Sequence, residues 1–115
     1  MAFDERRVED VILLNFHGQL TYTSGIELKH RVAQLADGDT AKVILNLEDV
    51  TYVDSSGLGA IVDTFIKLRK RGGDLRFVNP SSRCRHLLDI TNIAPAVQTF
   101  PSENDALASF GSGAG

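Results

Sequence analysis

The 115-residue chain has a single cysteine, Cys84. One thiol excludes an intrachain disulfide and any metal site built from several cysteines. Arg83 and Arg85 flank it and would favour the thiolate, but the simpler reading is an ordinary helix cysteine. No apolar run approaches the roughly 20 residues that a membrane helix needs. The opening Met1-Ala2-Phe3-Asp4-Glu5-Arg6-Arg7 lacks the basic-then-apolar order of a secretion signal. Both absences point to the cytosol. There is little excess charge: a formal net charge of -3 gives no field that would gather nucleic acid. There is no internal repeat and no long linker, so the length implies one domain. What remains is the composition of an ordinary globular protein, 43% hydrophobic and 23% charged.

Patterning within that composition predicts an α/β order. Phe3 to Val8 reads as an edge strand, Glu9-Asp10 as a tight turn, and Val11 to Phe16 as a second, antiparallel strand. Val11-Ile12-Leu13-Leu14 is apolar at successive positions, which implies cover on both faces. His17 to Thr21 reads as a loop. Ser24 and Glu27 have capping-box spacing. Leu28, Val32 and Leu35 then recur at helical steps, on a stripe kept narrow by Arg31. Asp37-Gly38-Asp39 closes this helix.

Ala41 to Leu47 reads as a central parallel strand. A helix is predicted from about Ser56 to Arg71, with Leu58, Ile61, Val62 and Phe65 facing the core and Ser56, Ala60, Asp63 and Lys67 facing away. Arg71-Gly72-Gly73 ends it. Leu75 to Val78 is a further strand, broken by Asn79-Pro80. Ser81 or Ser82 caps a helix carrying Leu87, Leu88 and Ile90. Ala96 to Phe100 is a short last strand. Ser102 caps a final helix with an acidic first turn and apolar anchors at Leu107 and Phe110. Residues 1–110 form the predicted domain, and 111–115 a flexible tail with nothing to bury.

Chemistry is expected at the stretch from Val50 to Ala60, where a strand passes into a helix N-terminus. His17, His30 and His86 lie on separate elements and share no metal-ligand spacing with an acid or cysteine. A hydrolase elbow is disfavoured, because Val53 and Asp54 stand where its leading glycine would be. Gly57 and Gly59 would admit a nucleotide phosphate, but Lys67 is too distant for a P-loop lysine and Asp54 would repel the anion. The cluster Lys67, Arg69, Lys70 and Arg71 complements the helix dipole. Two readings of the hydroxyls remain. Ser55 or Ser56 caps the helix, which spacing alone favours; or Ser55 is a substrate, accepting a phosphate that a docked partner would feel. Gly57, Gly59 and Ala60 either leave the helix start bare for a partner or allow tight packing on the sheet.

Leu47-Glu48-Asp49-Val50-Thr51-Tyr52-Val53-Asp54-Ser55-Ser56-Gly57-Leu58-Gly59 closely resembles the signature of the STAS domain (sulfate transporter and anti-sigma factor antagonist). His17-Gly18-Gln19-Leu20, Arg71-Gly72-Gly73-Asp74-Leu75, and Pro80, Arg83, Leu87 and Leu88 with Thr91-Asn92-Ile93 extend the resemblance over nearly the whole chain. It implies a mixed, mostly parallel sheet of about five strands with about four helices and an opening hairpin. It also implies a bacterial anti-sigma factor antagonist rather than an enzyme, with no cofactor. Its partners would be an anti-sigma factor that is also a serine kinase of the histidine-kinase-like ATPase type, and a serine phosphatase. Carried over, Ser55 is the phospho-acceptor and Asp54 its acidic neighbour. Ser56, Gly57, Leu58, Gly59 and Ala60 form the docking turn, which Asp63 and Lys67 extend along the helix. Many phosphorylatable members carry an acid after the second strand; here Thr21 stands there and can hydrogen-bond without charge. The alternatives are a STAS scaffold or adaptor that is not phosphorylated, or a weak nucleotide-binding STAS protein.

Overall fold

A computed structural model describes residues 3–37, 42–78, 85–86 and 98–110. Its elements are β1 (Phe3–Val8), β2 (Val11–Leu20), α1 (Tyr22–Asp37), β3 (Lys42–Val53), α2 (Ser55–Lys70), β4 (Asp74–Val78), β5 (Gln98–Phe100) and α3 (Glu103–Ser109). Among the described residues the sheet has five strands in chain order; β1 pairs antiparallel with β2, and each later pairing is parallel. The mixed, mostly parallel sheet behind an opening hairpin is therefore as anticipated. Cys84 and most of the helix expected over Leu87, Leu88 and Ile90 lie outside the described residues, as do 111–115; Arg85 and His86 are helical.

The hairpin turns through Glu9-Asp10, with Val8 opposite Val11. Glu9 takes a φ of 55°, the left-handed region that hairpin turns usually give to glycine or asparagine. Alternation along the sheet sorts its side chains to two faces. Ile12, Leu14, Phe16, Val43, Leu45 and Phe77 join α1 and α2 in the main core, where the Phe3 and Phe16 ring centres are 5.0 Å apart. Val11, Leu13, Ile44 and Val78 face the other way, against Ala106, Leu107 and Phe110 of the α3 segment. Ser102 caps α3 by accepting from the Asp105 N–H at 3.1 Å, as its position predicted.

β2 and β3 both outrun their predicted ends. Residues 17–20 are strand rather than loop, pairing as far as Leu20 with Val53. The register shifts between Asn15 and His17 and again between Gly18 and Gln19. Each shift adds a residue to β3, so its inward positions step by three, Leu47, Val50, Val53, while Glu48, Asp49, Thr51 and Tyr52 are exposed. That broken alternation hid the strand.

α1 buries Leu28, Val32 and Leu35 as its period requires. Arg31, which narrowed that stripe, spans to β1. Its Nε and Nη2 donate to Glu5 Oε1 and Oε2 at 2.5 and 2.6 Å. These two bonds, more than charge attraction, hold the Glu5 carboxyl below its ordinary value of 4.5, against the opposing effect of burial. A carboxyl with a depressed folded pKa adds stability above its unfolded pKa and loses it as pH falls through the folded value. The side chains are 34% and 26% exposed, so the contribution is under about 1 kcal/mol. Denaturant titrations of Glu5→Gln and the parent should differ at pH 7 and converge well below pH 4.5.

Candidate functional site

The site is where the end of β2 meets the start of α2. Asp54, half-buried and extended, is the N-cap of α2, and its Oδ1 accepts from the Gly57 N–H at 2.8 Å. Its own N–H donates to the Leu20 carbonyl at 3.3 Å, and its carbonyl accepts from Leu58 N–H at 2.9 Å. The cap is thus the acid, not Ser55 or Ser56, which are the exposed first and second residues of the helix. Among the described residues, nothing hydrogen-bonds the Ser55 hydroxyl. An exposed oxygen at a helix N-terminus, free of capping duty, can accept a new group without loss of a helix bond. Asp54→Ala should lower stability by about 1 kcal/mol, whereas Asp54→Asn, which keeps the accepting oxygen, should lose little; thermal unfolding separates the two.

The two glycines have different roles. A Cβ on Gly57 would lie 1.9 Å from the Leu20 carbonyl oxygen, whereas one on Gly59 would meet nothing within 4 Å. Gly57 therefore serves close packing on the strand, and Gly59 leaves the exposed start of the helix bare. Two expectations for α2 need correction. Ala60 was assigned to the outward side but is 5% exposed, and Val62 was assigned to the core but is only half-buried. The reason is α1, which lies alongside α2 and adds a second buried side. A Cβ on Gly25 would come within 2.9 Å of the Ala60 Cβ, and Thr64 is buried in the same direction as Ala60.

Of the predicted docking residues, Ser55, Ser56 and Gly59 are exposed together at the helix start, while Gly57, Leu58 and Ala60 are buried beneath them. Asp63 is exposed two turns further on and pairs with Lys29 Nζ of α1 at 3.3 Å. Lys67 is half-buried in the groove between the two helices, which has a volume of about 240 Å³ and is also lined by Val32, Ala33 and Thr64. Thr21 immediately precedes α1, next to Leu20, whose carbonyl touches the α2 cap.

Ser24 does not begin α1 but serves in its first turn. Its Oγ accepts from the Thr21 N–H at 2.8 Å and donates to the Gln19 carbonyl at 2.9 Å. It thus satisfies the N–H of the residue before the helix from inside the first turn, so the helix opens three residues earlier than the Ser24 and Glu27 spacing suggested. The early start adds Tyr22 to the helix, an exposed residue that sequence reasoning left out of the site. The Thr21-Tyr22-Thr23-Ser24 spacing was the available signal.

A family model described as STAS domain matches residues 2–106. The chain belongs to the STAS domain family. The anti-sigma-B factor antagonist of Bacillus subtilis (strain 168) is 37% identical to this STAS domain over 90 residues, covering 78% of this chain and 82% of that protein. The crystal structure of Thermotoga maritima TM1081 is similar with a TM-score of 0.85 and 26% identity, over 93% of this chain and 92% of that one. SpoIIAA of Bacillus, solved in unphosphorylated and phosphorylated forms, matches with TM-scores of 0.78 and 0.79 at 21% and 20% identity. Those two matches cover 95% of this STAS domain in each case, and 97% and 99% of the SpoIIAA chains; at that identity the likeness is one of fold. No helix among the described residues is long and apolar enough to cross a membrane.

Proposed function

We propose that this protein is an anti-sigma factor antagonist that works by partner exchange in the cytoplasm. Unphosphorylated, it binds an anti-sigma factor that is also a serine kinase of the histidine-kinase-like ATPase type, and the sigma factor is released. The kinase then transfers the γ-phosphoryl group of ATP to Ser55 Oγ, releasing ADP and the hydroxyl proton, and the complex parts. A serine phosphatase removes the phosphate by hydrolysis and resets the switch. The chain itself is substrate and switch rather than enzyme.

The observation that carries this reading is the division of labour at the start of α2. Asp54 caps the helix, so the neighbouring Ser55 hydroxyl is left exposed and unspent. The name of the B. subtilis relative, an anti-sigma-B factor antagonist, supports the partner class.

The test is intact-mass measurement after incubation with ATP and each histidine-kinase-like serine kinase of the source genome in turn. The parent should gain one phosphoryl group, roughly 80 Da, and Ser55→Ala should gain none. No gain by the parent with any kinase would favour a non-phosphorylated adaptor. A gain by Ser55→Ala would move the acceptor elsewhere.

A further inference from the structure

We propose that Tyr22 and Ile26, on the first two turns of α1, form an apolar anchor for the same kinase that acts on Ser55. The proposal rests on the reading of Ser55 as the phospho-acceptor and extends the docking surface from α2 onto α1.

Tyr22 is 68% exposed and Ile26 38%. Isolated exposed apolar residues are common and need no explanation. These two are distinguished by their place. Tyr22, Gly25, Ile26 and Lys29 follow at steps of three, one and three, which puts them on one stripe of the helix. Two members of that stripe touch α2. Gly25 faces Ala60 and the Ser56 carbonyl, with a built Cβ 2.9 and 3.7 Å away. Lys29 pairs with Asp63 at 3.3 Å. The contacts advance together along both helices, so α1 and α2 run side by side in the same direction. One turn back from Gly25, the stripe brings Tyr22 level with the first turn of α2, where Ser55 and Ser56 are exposed.

The backbone that carries Tyr22 and Ile26 is held from two sides. Ser24 ties the first turn of α1 to Thr21 and Gln19 through its hydroxyl. Gly25 allows the two helices to approach within a distance that any side chain would prevent. Side chains on a backbone already ordered leave only their own rotamers to be fixed on binding. A tyrosine with its ring presented to solvent is a residue type enriched among the side chains that dominate binding energy.

The occupant follows from the serine beside it. A second copy of this chain seated on Tyr22 and Ile26 would cover the first turn of α2 and shield Ser55 from any kinase. A kinase that holds Ser55 in its active site must cover the same ground. A phosphate on Ser55 can then break the grip, because charge and anchor share one footprint.

Equilibrium binding with the purified histidine-kinase-like serine kinases of the source genome tests this, using unphosphorylated protein and measuring Ser55 phosphorylation in parallel. Tyr22→Ser/Ile26→Ser should weaken binding by about ten-fold or more. Asn104→Ser, at an exposed residue of α3 on the opposite face of the sheet, should change it by less than about two-fold. Should the double variant melt early, Tyr22→Ser alone makes the same comparison at the more exposed position. If the parent is phosphorylated at Ser55 and the variants bind within about two-fold of it, the anchor is wrong and the switch reading stands. If no kinase binds or modifies the parent, both fall. A parent dimer that the double variant dissolves would assign the patch to a second copy and overturn the proposal.

Discussion

Gly57→Ala is expected to lower stability by about 3 kcal/mol, the upper part of the range for overpacking. The added methyl would stand 1.9 Å from the Leu20 carbonyl oxygen and 2.6 Å from its carbon. Both are backbone atoms at the end of a paired strand, so neither can turn aside as a flexible side chain would. Moving Leu20 also pulls on the carbonyl that accepts from Asp54 N–H. The helix start and the strand end must therefore separate, and Ser55 shifts with them. Better helix propensity returns at most about 1 kcal/mol. For a chain of this size the melting temperature should fall by roughly 10–15 °C. Gly59→Ala is the matched control. It meets open space and should raise stability by up to about 1 kcal/mol. If thermal unfolding showed Gly57→Ala melting within a degree or two of the parent, the close contact of α2 with β2 would be incorrect.

Phosphorylation of Ser55 is expected to weaken binding to the kinase by about 100-fold or more, while the melting temperature changes by only a few degrees. The effects differ because the phosphate meets different surroundings in the free and bound protein. In the free protein it is exposed at a helix N-terminus, whose partial positive charge tolerates an anion. In the complex it would be drawn out of water beside the Asp54 carboxylate, at a cost of several kcal/mol for a dianion without a partner. Ser55→Asp carries one charge on a shorter side chain and should weaken binding by about ten-fold. Titration calorimetry of the three forms against the kinase, beside melting curves for each, measures both quantities. Equal affinities for the phosphorylated and unphosphorylated forms would sink partner exchange at Ser55.

Much of the fold was legible because most elements declare one buried side. Leu28, Val32 and Leu35 marked α1, and the short strand at Leu75 to Val78 was read nearly to its ends. Ser102 announced the last helix through its acidic first turn. The site was half legible. Asp54 and Ser55 were both singled out, but serine preference at caps obscured which of them caps the helix. The acid wins because it sits one residue earlier, at the last extended position, where its oxygen reaches the Gly57 N–H. Ala60 was placed on the wrong side because periodicity counts one buried face, and α2 has two.

The sequence alone determined the alternation of strands and helices, the apolar stripes, and the acid-serine-serine-glycine turn that links strand to helix. These depend on residue type and spacing along one segment, where sterics and burial act locally. The tertiary structure alone decided how segments meet. It set the two register shifts that carry β3 to Val53, the pressing of Gly57 onto Leu20, and the alignment of α1 with α2 that sets Gly25 against Ala60 and Lys29 beside Asp63. Such contacts join residues distant in the chain, and nothing in the local pattern of either partner records the distance between them.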